Sequence, residues 1–424
     1  MSPNTRVSSV TCLGCGCGCD DLVVEVAGGR IASVAPPCPL AQAWFGDGRV
    51  PSAVRRGGAD APLEAALADA AELLAGASGR VLVVLAPEIT SHAQRVALAL
   101  ADTLRARVET TTSDPAAAGL LAAQRRGRTG ATLGEIRNRA DLVVFWAVDP
   151  SPRYPRYWSR YAPEPVGTHV AQGRKGRVVI SVSVGRDRGP AGADLQLALE
   201  PEQEVPALSV MRAIALGNAL GDLAPPLKAA ADIGAQLTKA RYSAIVHEAE
   251  PAAEAARDPY RGEGLLALAQ ALNGPSRAAL SPLRAGGNRS GAEVVLTSHT
   301  GYPMSVTYAS GAPQYRPAGR GLAEAAADAA AILIVGAAAA TGEILGEAAS
   351  RRPVVIVGPR ASEAPFAARV AVDTGIAGIH EGGTAYRMDD IPLRLRPPLQ
   401  AERSVVGVLS ELLAAVRRRP GAAR

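Results

Sequence analysis

The chain has 424 residues, of which 48% are hydrophobic and 20% charged, as in an ordinary folded protein rather than a disordered one. It carries 45 basic and 40 acidic residues, but only three are lysines, so the net charge of +5 indicates no nucleic-acid-binding face. No uncharged apolar run reaches the about 18 residues of a membrane span, and the first residues contain no secretory apolar stretch. We therefore expect a cytoplasmic protein of two or three domains with reduced thiols.

All five cysteines lie within the first 38 residues. Cys12, Cys15 and Cys19 follow a C-x2-C-x3-C spacing, Cys38 follows later, and Cys17 is an extra thiol inside the motif. Intervening glycines allow such a loop to wrap around one centre. Four cysteines in this arrangement predict a [4Fe–4S] cluster, with Cys17 dispensable. A zinc site with the same ligands, or free structural thiols, are the alternatives.

The elements that follow indicate an α/β protein. Residues 20–34 predict a hairpin between the cysteines, and 62–77 predict an amphipathic helix. Apolar, β-branched runs then alternate with Ala-rich helical segments, which is typical of parallel sheets covered on both faces and requires at least two doubly wound units. Predicted strands lie at 81–87, 141–150, 177–184, 194–199, 243–248, 278–282, 293–298, 331–337 and 353–359, and helices at 91–104 and the C-terminus.

The opening motif resembles the N-terminus of the molybdopterin- and tungstopterin-dependent oxidoreductases, and within them the B subunit of formylmethanofuran dehydrogenase. The similarity covers essentially the whole chain. It is carried by VTCLGCGCGCDDLVVEV at the start, TLGEIRNRADLVVFWAVDPSPRYPRYWSRY at 132–161, the segments within 283–317, and AGIHEGGTAYRMDDIPLRL at 377–395.

This resemblance implies a small N-terminal Fe–S cluster domain plus two doubly wound parallel-sheet domains, as in molybdopterin oxidoreductases. We place the cysteine-rich domain at 1–52 and the second α/β domain at 131–304. The other α/β domain is then discontinuous, with its first part at 53–130 and its second part at 305–424.

The chain departs from the dehydrogenase at the metal ligand. In that family a Cys-His-Gly-Pro turn supplies the cysteine or selenocysteine that binds molybdenum or tungsten. Here the interval 109–135 has neither cysteine nor histidine, and Ser113-Asp114-Pro115 stands near the expected turn. The family's Gly-His-Tyr-Asn stretch appears as Ala285-Gly286-Gly287-Asn288. We interpret the combined losses as loss of the redox reaction, and expect no molybdopterin or tungstopterin.

That combination resembles the B subunit of the bacterial formyltransferase/hydrolase complex. The family converts formyl-tetrahydromethanopterin to formate in one-carbon metabolism, with methanofuran as formyl carrier. Formyl transfer and zinc-dependent hydrolysis belong to other subunits. The resemblance therefore implies a non-redox structural subunit, whose partners are a formyltransferase and a zinc amidohydrolase-like subunit.

Two alternatives stay open. Ser113 or Asp114 replaces the cysteine as metal ligand in an active pterin-dependent dehydrogenase subunit, although Ser-Asp-Pro is also an ordinary turn or helix start. Alternatively, zinc on the four cysteines stabilises a free-standing binding protein. Elemental analysis distinguishes the three hypotheses. Iron alone supports the structural subunit, molybdenum or tungsten with pterin supports the active dehydrogenase subunit, and zinc supports the binding protein.

Other patterns favour structural roles. The histidines at 92, 169, 247, 299 and 380 lack metal-ligand spacing. The segment 152–161 interleaves arginines with aromatics, and we interpret it as a packed loop or subunit contact, with 302–317 as a second contact region. Glycine pairs at 286–287 and 382–383 are able to approach a phosphate or pterin, although such pairs alone carry little information.

Overall fold

The computed structural model describes residues 5–250, 259–316, 321–337, 345 and 347–419. Its strands are β1 (Thr5–Val10), β2 (Leu22–Ala27), β3 (Arg30–Ala35), β4 (Val54–Arg56), β5 (Ala59–Asp60), β6 (Val81–Leu85), β7 (Arg107–Thr110), β8 (Leu142–Trp146), β9 (Val178–Val184), β10 (Leu195–Leu199), β11 (Ser243–Glu248), β12 (Ala278–Leu283), β13 (Val306–Thr307), β14 (Gln314–Tyr315), β15 (Ala331–Val335), β16 (Val354–Gly358), β17 (Val370–Asp373), β18 (Gly383–Tyr386) and β19 (Pro392–Leu395).

Helices connect most of the parallel strands. They are α1 (Pro39–Phe45), α2 (Leu63–Gly76), α3 (Ser91–Thr103), α4 (Ser113–Arg126), α5 (Leu133–Arg139), α6 (Tyr157–Arg160), α7 (Pro201–Ala215), α8 (Pro225–Lys239), α9 (Pro259–Leu272), α10 (Arg289–Thr300), α11 (Leu322–Asp328), α12 (Ala348–Arg351) and α13 (Val405–Arg417). In the part of the chain that the structure describes, none of these helices has both the length and the apolar character needed to cross a membrane.

By their internal packing the residues form two compact units. Unit 1 contains residues 1–114 and 286–424, and unit 2 contains residues 115–285. The cysteine-rich segment belongs to unit 1, and the unit limits fall at 114/115 and 285/286 rather than at the 130/131 and 304/305 of the sequence-based division. The shift arises because α10 packs on α3 within unit 1, whereas all but the first two residues of α4 cluster with unit 2.

Unit 1 is built on a nine-stranded sheet of order β14-β13-β7-β6-β15-β16-β17-β4-β5. The five central strands run parallel, and antiparallel pairs close both edges. Each residue of VLVVL in β6 and of AILIV in β15 is buried, because apolar clusters cover both faces of the sheet. The order of the parallel strands puts the switch point, where open α/β sheets hold ligands, between the carboxyl ends of β6 and β15.

Two small antiparallel sheets complete unit 1. Strands β1, β2 and β3 form the sheet that carries the cysteines, and the predicted hairpin is confirmed as β2 and β3. Strands β18 and β19 form a separate ribbon.

Unit 2 contains a five-stranded, entirely parallel sheet of order β10-β9-β8-β11-β12. Helices α7, α8 and α9 contribute buried side chains to the apolar cluster on one face. The mixed α/β fold with parallel sheets that the sequence predicts is therefore confirmed in both units.

One predicted strand is wrong. Residues 293–298 (EVVLTS) lie in helix α10. Ala292, Val295 and Leu296 are buried on one side of that helix, which is the spacing of an amphipathic helix, and Gly301 ends it in a left-handed conformation. A short apolar run fits the periodicity of a strand as well as that of a helix, and here packing against the rest of unit 1 favours the helix.

A buried arginine fixes a loop of unit 2. Arg177 is 3% exposed and has no carboxylate among its hydrogen-bond acceptors in the structure. Its guanidinium donates to the carbonyl oxygens of Ala140 at 3.0 Å, Pro163 at 2.8 Å, Pro165 at 2.6 Å and Arg137 at 2.5 Å. The planar guanidinium, with its several N–H donors, matches this set of acceptors. Its hydrogen bonds hold the segment at 163–165 in place.

We expect Arg177→Lys to lower the free energy of unfolding by about 2 kcal/mol, because a lysine ammonium cannot reach all four carbonyls and leaves some buried acceptors unpaired. Urea unfolding measures this loss. Arg125→Lys is the control, since Arg125 is exposed and pairs with Glu263 at the surface. Equal losses in the two variants would contradict the role assigned to the Arg177 fork.

Candidate functional site

The predicted metal ligands lie in one tight loop of unit 1. The Cys12 N–H donates to the Cys19 carbonyl at 2.8 Å, and the Gly18 N–H donates to the Cys15 carbonyl at 3.2 Å. Gly18 has a φ of 48°, which is why the loop needs glycine at this turn. These bonds bring the two ends of the C-x2-C-x3-C motif together.

The fourth predicted ligand returns to the same place from β3. Cys38 is 7% exposed and sits in extended conformation immediately before α1, and its carbonyl accepts the Gln42 N–H at 2.9 Å. Proline at the first helical position supports this helix start. The hairpin β2–β3 thus carries the chain from Cys19 back to Cys38.

The thiol of Cys12 is buried and interacts electrostatically with other cysteines. Burial raises its pKa, the Gly14 N–H opposes that effect by donating to Sγ at 3.3 Å, and the charges of Cys15, Cys19 and Cys38 raise the pKa further. The three cysteines whose charges act on Cys12 are the other predicted ligands. Cys17, the extra thiol, lies fully buried in the same loop.

Across the described ranges, no group of three or more His, Cys, Asp or Glu side chains is arranged to hold a single metal ion. Cys15, Cys19 and Cys38 nevertheless lie within electrostatic range of Cys12. Three of these four cysteines are buried and Cys15 is half-buried. Neighbouring thiolates repel one another, and a bound cation relieves that repulsion. The donor set therefore fits a thiolate-bound metal group, whose presence stays a prediction.

An orphaned donor lies beside this loop. The indole N–H of Trp44, on α1, is buried without a hydrogen-bond partner among the described residues. Trp44 packs against a small apolar cluster formed by Leu13, Ala377, Ala385 and Leu395. Buried donors are nearly always paired in folded proteins, so an acceptor is expected next to the cysteine loop.

Gly286 and Gly287 attach the cysteine loop to the nine-stranded sheet. The Gly287 N–H donates to the Leu13 carbonyl at 2.7 Å, and the Asn288 N–H donates to the Pro87 carbonyl at 2.7 Å. A side chain on Gly286 would overlap the Leu13 carbonyl, and one on Gly287, whose φ is 89°, would overlap Pro87. These glycines allow two backbone segments to pack closely beside the switch point of unit 1.

Asn288 is the centre of a buried amide network in unit 1. Its Nδ2 donates to the Ile89 carbonyl and to Ser91 Oγ, both at 3.1 Å, and lies 3.3 Å from Gln94 Oε1. Its Oδ1 accepts the Tyr386 N–H at 2.8 Å. One fully buried side chain thus joins the loop after β6, helix α3 and strand β18. Sequence reasoning missed this role, and the only signal for it was the place of Asn288 in the family-like segment at 283–317.

Two buried carboxyl groups flank the same region. Burial raises the pKa of Glu88, which follows β6, while its own amide, the Ala337 amide and the charge of Arg289 oppose that shift. Glu381 accepts the Val405 N–H at 2.6 Å at the start of α13, and burial raises the pKa of Glu381 to about 7.

The histidine beside Glu381 is structural. The Nδ1 atom of His380 accepts the Ile376 N–H at 3.2 Å, so its Nε2 carries the proton and donates to the Gly48 carbonyl at 2.8 Å. Burial lowers the pKa of His380, which agrees with a neutral ring. The predicted structural role of this histidine is confirmed.

Glu381 makes stability depend on pH. Its folded pKa of about 7 exceeds the usual 4.5, so the folded state binds a proton that the unfolded state releases between these values. Stability therefore falls as pH rises from about 4.5 to 7, and the full cost of about 3 kcal/mol is present above 7. We expect Glu381→Gln, which keeps an acceptor for Val405, to match wild type in urea unfolding at pH 5 and to exceed it by about that amount at pH 8.

The exposed Glu411 of α13 supplies the control for this prediction. Glu411→Gln should follow the wild-type stability profile at both pH values. If Glu381→Gln exceeds wild type in free energy of unfolding by the same amount at pH 5 and pH 8, burial of the Glu381 charge is not the cause of the pH dependence.

The alternative ligands lie at the beginning of a helix. Residue 113 starts α4, directly after β7 and the two threonines that follow it, so the Ser-Asp-Pro stretch is a helix start. The side chains of Ser113 and Asp114 lie outside the described part of the structure, and the ligand hypothesis for them stays untested.

The arginine- and aromatic-rich segment of unit 2 is packed inward. Tyr154, Tyr157 and Tyr161 are buried. Phe145 of β8 contacts the Tyr157 ring edge-on at 6.2 Å between centroids and stacks on Trp158 at 5.5 Å. The interpretation as a packed loop is confirmed, while its role as a subunit contact stays a prediction.

The fold is similar to that of a chain in a solved structure. It is similar to one chain in the crystal structure of the formyltransferase/hydrolase complex from Methylorubrum extorquens in complex with methylofuran, with a TM-score of 0.71 and 23% sequence identity. The match covers 86% of this chain and 99% of that chain. At this identity the similarity concerns the fold. No protein-family model matches the sequence.

The sequence is similar to two relatives that are both named as dehydrogenase B subunits. The chain is 28% identical over 422 residues to the B subunit of tungsten-containing formylmethanofuran dehydrogenase 2 from Methanocaldococcus jannaschii, covering 94% of this chain and 95% of the relative. It is 27% identical over 428 residues to the same component from Methanococcus maripaludis, covering 95% of each. The resemblance inferred from the motifs is confirmed: the chain is a homologue of the formylmethanofuran dehydrogenase B subunit.

Proposed function

We propose that the chain is a non-redox structural subunit of a formyltransferase/hydrolase complex, which converts formyl-tetrahydromethanopterin to formate through methanofuran. The similarity to the dehydrogenase B subunit over 94% of the chain and the fold shared with a chain of the Methylorubrum complex support this proposal. Both the tungsten-containing enzyme and the hydrolytic complex agree with those similarities, so the choice between them rests on the metal site.

One observation carries that choice. No cysteine follows Cys38 anywhere in the 424-residue sequence, although the chain aligns with a tungsten-containing relative almost from end to end. The position near which the resemblance implies a metal-binding thiol is instead a Ser-Asp-Pro helix start at 113–115. This donor set does not fit a thiolate-ligated molybdenum or tungsten centre.

The cysteine loop belongs to the proposal as a structural element. Cys12, Cys15, Cys19 and Cys38 would hold a [4Fe–4S] cluster, which supports electron transfer in other proteins. Without a metal–pterin centre to exchange electrons with, the cluster would act as a cross-link between the small sheet and the rest of unit 1. The charges of Cys15, Cys19 and Cys38 that act on Cys12, and the unpaired Trp44 N–H, support this assignment.

Co-expression with a formyltransferase and a zinc amidohydrolase-like subunit tests the assignment. We expect one complex on size-exclusion chromatography, with formate produced from formyl-tetrahydromethanopterin and with iron but no molybdenum or tungsten on this chain. A stable monomer that ignores these partners would contradict the structural role.

A second function is favoured by the sequence relatives, which are named as tungsten-containing. In this alternative the chain is an active pterin-dependent formylmethanofuran dehydrogenase subunit, with Ser113 or Asp114 as metal ligand. Tungsten or molybdenum with stoichiometric pterin in the anaerobically purified protein would establish it. Zinc without iron would instead support a zinc-stabilised binding protein.

A further inference from the structure

A cleft of about 380 Å³ opens in unit 2 at the carboxyl ends of β8 and β9. Its volume falls within the range of ligand sites, and this edge is the one at which open α/β sheets hold ligands. The loop after β8 forms one wall and the loop after β9 forms the other. The lining residues are Asp149, Ser151, Pro155, Trp158, Ser159, Glu164, Pro190, Ala191 and Gly192.

The cleft is acidic. One carboxylate oxygen of Asp149 accepts the Ser151 N–H at 2.8 Å, and among the described residues its other oxygen and the Glu164 carboxylate have no hydrogen-bond or ion-pair partner. No lysine or arginine is among the lining residues. The nearby Arg153 is paired with Glu248 at 2.6 Å. A phosphate, the usual ligand at this edge of a dinucleotide-binding sheet, would be repelled here.

A tryptophan forms the apolar side of the cleft. Trp158 stacks on the fully buried Phe145 with 20° between the ring planes, so its orientation is set from behind. The backbone of the same wall is held as well, because Arg177 donates to the carbonyls of Pro163 and Pro165 on both sides of Glu164. The aromatic ring, the Asp149 carboxylate and the backbone on both sides of Glu164 are therefore held in place.

We propose that this cleft binds the guanidinium of an arginine side chain from another subunit, an inference that rests on the proposed function. A guanidinium is planar, stacks on an indole face and donates two parallel hydrogen bonds to a carboxylate. Ser151, Ser159 and Glu164 are exposed, so the cleft is shallow and suits a side chain delivered by a large partner. The charge of the cleft is complementary to that side chain.

The isolated full-length chain tests the chemistry first. Calorimetric titration with N-acetyl-arginine amide should show binding at least about tenfold tighter than with N-acetyl-citrulline amide, its neutral isostere. Asp149→Asn and Trp158→Leu should each weaken arginine binding severalfold, while Asp222→Asn, at an exposed site of the same unit, should leave it unchanged. Equal binding of both probes, or equal effects of Asp149→Asn and Asp222→Asn, would overturn the proposal.

The assembled complex tests the source of the arginine. When the partner's side chain fills the cleft, N-acetyl-arginine amide should no longer bind, and Trp158→Leu, with a wild-type thermal midpoint, should reduce co-purification of the partner severalfold. Undiminished probe binding by the complex would overturn the assignment to a partner. Failure of every variant and of wild type to assemble would contradict the proposed function, while the titration of the isolated chain still decides whether the cleft selects guanidinium.

Discussion

Replacing Cys12, Cys15, Cys19 or Cys38 with serine is expected to remove most of the iron from the anaerobically prepared protein. Wild type should show broad absorbance near about 400 nm and about four irons per chain, and each variant should lose both. The segment that carries the ligands is too small to keep a core without its metal, and metal binding there contributes folding free energy. Limited proteolysis should therefore cut the variants within the first fifty or so residues.

Cys17 supplies the matched control. It is fully buried in the same loop, but the family spacing is already satisfied by Cys15 and Cys19. Cys17→Ser should keep its iron and absorbance. Bleaching of this variant as strongly as Cys15→Ser, or zinc without iron in careful anaerobic preparations, would refute the four-cysteine cluster.

Replacing Asn288 with aspartate is expected to lower the free energy of unfolding by about 4 kcal/mol, since it converts the amide donor into an acceptor and introduces a fully buried charge. The two side chains have nearly the same shape, so packing is preserved. The donors to Ile89 and Ser91 are lost, whereas the acceptor for the Tyr386 N–H remains. Urea unfolding of unit 1 at neutral pH measures the loss.

The effect should also reach the cysteine loop, because Gly287, the neighbour of Asn288, donates to the Leu13 carbonyl. Asn288→Asp should therefore release iron faster than wild type under a chelator. Asn218→Asp, at an exposed position, should change stability by less than about 0.5 kcal/mol. A stability loss at Asn288 with wild-type iron release would show that the network supports the sheet without supporting the loop.

The local patterns of the sequence determined most of the elements and the composition of the predicted metal site. Apolar β-branched runs such as VLVVL predicted buried parallel strands, because only a strand covered on both faces tolerates apolar side chains at every position. The C-x2-C-x3-C spacing and Cys38 supplied the four predicted ligands, and the lack of any later cysteine is the basis of the prediction that the redox centre is lost. These properties depend on residue type and spacing, which the sequence displays directly.

The tertiary structure decided what depends on contacts between distant segments. EVVLTS became helix α10, because burial of Ala292, Val295 and Leu296 on one face outweighed its strand-like composition. Asn288 became the centre of a network only when residues near 90 and near 386 met it, and a single buried amide has no periodicity to display. The pKa of Glu381 likewise follows from burial beside α13, which no local pattern encodes, because desolvation is a property of the packed environment.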